Sequence, residues 1–140
     1  MIILDTNVLS ECLRPKPDPY VLAWFSAQSR ASLFTTTIVE SEILYGIRLL
    51  PDGARKVALT EAIRAIFDHD FSGRVLSFDR GAASAYAELA SSRKAAGRPI
   101  AQFDAMIAAV TYSTGAVLAT RNLKDFEACK IDLLNPWAHR

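Results

Sequence analysis

The 140-residue chain is poor in the residues that cross-link, activate or steer many small proteins. It holds two cysteines and two histidines, and its formal net charge is only +1. Cys12 and Cys129 are too few for a disulfide framework, so two reduced thiols in a cytoplasmic protein are the simple expectation. His69 lies in the acidic, loop-like FDHDF and His139 is next to last. Neither is placed to activate a nucleophile or to bind zinc. No phosphate loop, dinucleotide fingerprint or nucleophile elbow occurs. A near-neutral chain gives no argument for nucleic acid from charge alone, so any such contact must be a local patch. No uncharged apolar run reaches the ~18–20 residues of a membrane span. MIILD, with a carboxylate at position 5 and no basic start, does not read as a secretory leader.

What is present is a hydrophobic fraction of 51% and a charged fraction of 22%, the balance of a globular protein. The length is that of one domain, expected over 1–140, and such a domain buries roughly 68–70% of its unfolded surface. MIIL, SLFTT, RVLSF, AVLAT and IDLL read as short strands. Between them, DTNVLSE, YVLAWFSAQ, TIVESEILYGIRLL, ARKVALTEAIRAIF, the stretch from Asp79 to about Ala96, and Pro99 to Thr114 read as helices. Short apolar strands separated by helices predict an α/β fold with a parallel sheet covered on both faces. Ligands of such folds bind at the carboxyl ends of strands. That rule singles out Asp5, directly after MIIL, and Thr120, Arg121 and Asn122, directly after AVLA.

Four carboxylate contexts stand out. Asp5 is either the N-cap of the following helix or a ligand at a strand end. Thr37 and Glu40 have capping-box spacing, which gives Glu40 a structural task. Glu42 lies about 200° further round the helix, on the face of Ile38, Tyr45, Gly46 and Leu49. It is a half-exposed edge residue or a ligand. Asp104 is the single charge between Pro99 and Ala119. If Pro99 opens the helix, Asp104 is interior and buried; otherwise it caps a helix starting at Ala105. A buried carboxylate must be paired or bound to a metal, and Arg98 and Arg121 are the basic residues near it in sequence. Asn122 and Asp125, in TRNLKDF, either make a local turn or face a site. Converging acids cannot all stay ionised without a cation. Hard carboxylate oxygens suit Mg²⁺ or Mn²⁺, and such ions serve phosphodiester hydrolysis.

Together LDTNVLSE, VESEILYG, PIAQFDAMIAA and LATRNLKDF, with the closing LLNPW, resemble the PIN-domain toxins of type II toxin–antitoxin pairs, of the VapC type or FitB-like. The resemblance covers nearly the whole chain. It implies a three-layer α/β/α sandwich around a parallel sheet and a Mg²⁺- or Mn²⁺-dependent ribonuclease. By position it assigns Asp5, Glu42 and Asp104 as the acids, with Asp5 and Asp104 on the metal and Thr6 orienting the first acid. Asn122 stands where related proteins often carry Asp, and Asp125 is one turn on. The implied partners are an RNA substrate, a second copy of the chain and a cognate antitoxin, through which operator DNA would be bound. Arg93, Lys94, Arg98, Arg121 and Lys124 are candidates to hold an RNA backbone or are ordinary surface charge. Trp24, Phe25, Tyr45 and Leu49 could form an antitoxin groove, though packing in the core or a dimer interface is the simpler reading. The rival readings are a haloacid-dehalogenase-like phosphatase, disfavoured by Asn7, a non-catalytic module and a DNA-directed nuclease.

Overall fold

Strands of aliphatic and β-branched residues alternate with amphipathic helices along the chain, and the computed structural model, which describes residues 1–138, assembles them around one sheet. The strands are β1 (Ile2–Leu4), β2 (Leu33–Thr36), β3 (Val75–Leu76), β4 (Val117–Ala119) and β5 (Asp132–Leu134). They pair in the order β3-β2-β1-β4-β5, all parallel. The helices are α1 (Thr6–Cys12), α2 (Pro19–Ala27), α3 (Thr37–Arg48), α4 (Ala54–Ala65), α5 (Arg80–Ala95) and α6 (Gln102–Thr114).

The strand order dictates the layers. The chain steps outward from β1 to β2 to β3, then returns across β1 to β4 and β5. Right-handed crossovers place the helices of the outward path on one face and those of the return on the other. Contacts agree: α3 packs on α1 and α4, while α5 packs along α6. This is the expected α/β/α sandwich. The direction of the chain reverses between β1 and β4, so the crevice at their carboxyl ends is the topological switch point.

Ile3, Leu4, Val8, Val39, Ile107 and Leu118 are among the fully buried side chains that join sheet to helices. The spacing of Val39, Ile43, Ile47 and Leu50 predicts one buried stripe; the first three are buried on α3, while Leu50 lies beyond its end and is half-buried.

Several local expectations need correction. The α3 cap is Thr36, not Thr37: the last residue of β2 is extended, and its hydroxyl accepts from Val39 N at 3.1 Å. Glu40 is therefore a first-turn acid rather than half of a capping box. α6 begins at Gln102, three residues after Pro99. The Arg98 carbonyl, which a longer helix would use, instead accepts from Arg93 Nε at 2.8 Å. FDHDF is not a loop but most of a single π-helical turn, Ile66–Asp70, which leaves His69 exposed. RVLSF supplies only two strand residues, Val75 and Leu76. His139 lies outside the described residues.

Candidate active site

Asp5 occupies the first position after β1, and Thr120 the first after β4. The register pairs Leu4 with Ala119, so the next residues on each strand stand side by side at the switch point. Asp5 is 4% exposed and is fully hydrogen-bonded. Oδ1 accepts from Thr6 N at 2.8 Å. Oδ2 accepts from Thr120 Oγ1 at 2.8 Å and from Asn7 Nδ2 at 3.2 Å. Asp5 thus caps α1, and its second oxygen is held by two side chains. Burial nonetheless outweighs these donors and pushes its carboxyl above the ordinary value.

Glu42 reaches the same edge from the second turn of α3, which starts at the carboxyl end of β2. Its Oε1 accepts from Thr6 Oγ1 at 3.0 Å. Thr6 therefore spans two acids, giving its amide to Asp5 and its hydroxyl to Glu42, rather than orienting Asp5 alone. Partial burial raises the Glu42 carboxyl, the Thr6 bond lowers it, and the Asp5 charge adds to the rise.

Asp104 stands in the first turn of α6. That helix runs antiparallel to β4, so its start lies at the carboxyl edge of the sheet. The carboxylate is half-buried, neither sunk in an all-apolar helix nor a cap. Desolvation is the largest influence on it, followed by the charges of Asp5, Asp125 and Glu42, and its carboxyl is pushed up to about 6. Neither nearby arginine relieves it. Arg98 pairs with Glu127 at 3.1 Å, and Arg121 lies over the Trp137 ring at 5.0 Å from its centroid. Among the described residues no ion pair involves Asp5, Glu42, Asp104 or Asp125.

The fourth position is a 3₁₀ turn, Leu123–Phe126. Asn122 makes no side-chain cap there, but its backbone N–H donates to Thr120 Oγ1 at 3.1 Å, which ties the turn to the residue holding Asp5. Asp125 is exposed, yet near enough for its charge to raise both Asp5 and Asp104. The structure thus gathers Asp5, Glu42, Asp104 and Asp125 at one edge, with Asn122 beside them.

Hard oxygen donors and mutual repulsion, with no compensating cation among the described residues, would suit a divalent ion. Among the described residues, no three acidic, histidine or cysteine side chains converge closely enough to cage one directly. An ion at this edge would therefore have to be held by one or two carboxylates and by water.

Asn7 and Thr120 are the holders of Asp5 that residue-by-residue reading undervalues. Asn7 also accepts from Arg121 N through Oδ1 at 3.2 Å. The available signal for Thr120 is its place after a strand adjacent to β1. Thr120→Val should cost about 1–3 kcal/mol in denaturant unfolding, because a buried carboxylate oxygen loses its shortest donor, while Thr120→Ser should stay close to wild type. Equal midpoints for valine and wild type would show that the hydroxyl is dispensable.

Of the basic candidates, Lys94, Arg98, Arg121 and Lys124 are exposed. Arg93 is not surface charge at all: it is 6% exposed and bonded to backbone carbonyls. The four proposed groove residues also separate. Trp24 is in the core and Phe25 packs against it, whereas Tyr45 and Leu49 stand exposed on α3. The groove that does open at the site has a volume of ≈ 740 Å³. It runs from Thr6 and Glu42 between α1, α3 and α4, over Leu13, Ile47 and Leu59, with Arg14 and Arg55 on its lining.

Comparison with known proteins matches residues 2–130 to the family model described as PIN domain. The plasmid stability protein StbB of Pseudomonas syringae pv. tomato is 42% identical, over 98% of this chain and 99% of its own length. The VapC ribonuclease Y4jK of Sinorhizobium fredii is 38% identical, over 98% of each chain. A solved structure of FitAB bound to an IR36 DNA fragment contains a chain that superposes with a TM-score of 0.92 at 37% identity, covering 98% of this chain and 96% of that one.

Proposed function

This chain belongs to the PIN-domain family, and from that premise we propose that it is a metal-dependent endoribonuclease, the toxin of a toxin–antitoxin pair. The observation that carries the reading is the gathering of Asp5, Glu42, Asp104 and Asp125 at the switch point, where none of them is ion-paired among the described residues. The VapC ribonuclease among its relatives supports the same activity.

Asp5 and Asp104 would hold Mg²⁺ or Mn²⁺, directly or through water. The bound ion supplies a lowered pKa for the attacking water and neutralises charge on the phosphate. Glu42, fixed by the Thr6 hydroxyl, accepts a hydrogen bond from that water and aims it. Asn122 and Asp125 would complete the shell or orient the attacking water; Asn122 offers an amide oxygen but no charge. Asp5, clamped by Thr6, Asn7 and Thr120, keeps one geometry through the reaction, the rigid support a ligand needs. In-line attack breaks the P–O3′ bond and leaves a 5′-phosphate and a 3′-hydroxyl.

The antitoxin would lie in the groove between α1, α3 and α4, where it can reach Thr6 and Glu42 and cover the acids. Its apolar floor suits a helix, and Arg14 and Arg55 suit acidic side chains. The structure of FitAB with a DNA fragment supports DNA binding by the pair, in which the antitoxin would make the contact with operator DNA. Tyr45 and Leu49 leave apolar surface on α3 for a second copy of the chain.

The test is cleavage of end-labelled structured RNA by antitoxin-free protein in Mg²⁺, in Mn²⁺ and in chelator, with single-stranded and duplex DNA alongside. Cleavage of RNA that stops in chelator and leaves 5′-phosphate ends is expected. Products ending in 2′,3′-cyclic phosphate would remove the mechanism, and cutting of DNA alone would replace the substrate.

A further inference from the structure

Arg93, near the end of α5, is a buried cation that the proposed chemistry does not use. Its side chain bonds four acceptors: Nε donates to Arg98 O at 2.8 Å, and Nη1 to Asp125 O at 3.1 Å, Glu127 O at 2.9 Å and Cys129 Sγ at 3.4 Å. No carboxylate pairs with it among the described residues. Burying a charge without a counter-charge is costly, and an apolar side chain would fill the same space at less cost. What an apolar side chain cannot do is grip carbonyls in a fixed fork.

The segment it grips needs gripping. Between β4 and β5 the chain has only the Leu123–Phe126 turn. Ala128 and Lys130 then adopt φ of 62° and 56°, a left-handed conformation that non-glycine residues hold only when their surroundings enforce it. Phe126 and Cys129 are buried and anchor the inner side. The Asp125 side chain has no hydrogen bond of its own among the described residues, so its backbone alone places it. That backbone is held at Asp125 O by Arg93.

We propose that Arg93 is a positioning residue, whose guanidinium fixes the 122–130 segment and so sets the distance of the Asp125 carboxylate from Asp5 and Asp104. This rests on the metal-binding reading above, and it assigns Asp125, rather than Asn122 alone, as the fourth acidic position. Arg93 itself touches neither ion nor RNA.

The decisive experiment is a double-mutant cycle read by calorimetric Mn²⁺ titration of the full chain: wild type, Arg93→Lys, Asp125→Asn and the double variant. Lysine keeps the charge and loses the fork. Arg93→Lys should weaken Mn²⁺ binding about tenfold, the lower end for residues that orient ligands. In the Asp125→Asn background the same change should alter affinity less than about twofold, because the two act through one path. Affinity within about twofold of wild type in Arg93→Lys, or full multiplication of the two effects, would overturn the proposal and leave Arg93 a purely structural clamp. If Arg93→Lys does not fold, Mg²⁺ titration of wild type by NMR decides. The Arg93 Nε–H signal and the amides of 125–129 should move with the midpoint of the Asp5 amide, and signals that stay fixed overturn the coupling. Wild type that binds neither ion removes the metal reading itself, and the role of Arg93 with it. Binding that is unchanged by Arg93→Lys removes only the latter.

Discussion

Asp104→Asn should abolish most RNA cleavage, by about 10²–10⁴-fold, while making the metal-free protein more stable. The two effects have one origin. In the absence of a cation, the Asp104 carboxylate faces the charges of Asp5, Asp125 and Glu42 in a partly desolvated edge, which pushes its carboxyl from 3.8 up to about 6. An amide of the same shape removes that repulsion and, on the proposed reading, removes a metal ligand with it. Solvent screens a half-exposed group, so the gain is about 1–2 kcal/mol. For a domain of this size it should appear as a rise of roughly 3–8 °C in thermal midpoint in chelator. Mg²⁺ should then raise the midpoint of wild type and leave that of the variant nearly unchanged. A variant less stable than wild type in chelator would mean that Asp104 is held by favourable contacts, contrary to the electrostatics of the site.

Metal-free protein should also grow more stable as the pH falls from about 7 toward 5, the reverse of the usual behaviour of a protein rich in paired carboxylates. The sign follows from the folded-state values. Asp104, Asp5 and Glu42 are all raised above their ordinary values, so the folded chain binds more protons than the unfolded one. Stability from this source is present at low pH and is lost as pH rises through the range from 3.8 to about 6 set by Asp104. Asp52, lowered by Lys56, works in the opposite direction but is fully exposed. A divalent ion competes with those protons. The increment in thermal midpoint given by saturating Mg²⁺ should therefore be large at pH 7.5 and nearly gone at pH 5. Melting curves with Mg²⁺ and with chelator across that range measure it, and an increment that does not change with pH would separate ion binding from these acids.

The parts of the fold that follow from local pattern are legible in the sequence. MIIL ends abruptly in a charge, and that break marks both the strand end and Asp5. The lone charge between Pro99 and Ala119 points to Asp104, and an alternation of short apolar runs with helices points to the parallel sheet. Depth and partnership are less legible, because they depend on segments far away in the chain. Asp104 is only half-buried because Gln102 and Phe103, in the same first turn, face solvent. Arg93, next to Lys94, has the pattern of a surface helix arginine. It is buried because a turn more than thirty residues later folds back over it. The groove is equally nonlocal, since α1, α3 and α4 each contribute one wall.

The pairing of β1 with β4 also bears on how the protein is made. The ribosome delivers Asp5 well ahead of its partner Thr120, which is 115 residues behind. Until β4 emerges, Asp5 lacks the Thr120 hydrogen bond and the 122–130 segment does not exist. A message cut short, or translation stalled midway, thus yields a fragment with half the acids and no edge on which to assemble them. The edge therefore assembles only once β4 and the 122–130 segment have followed α6 out.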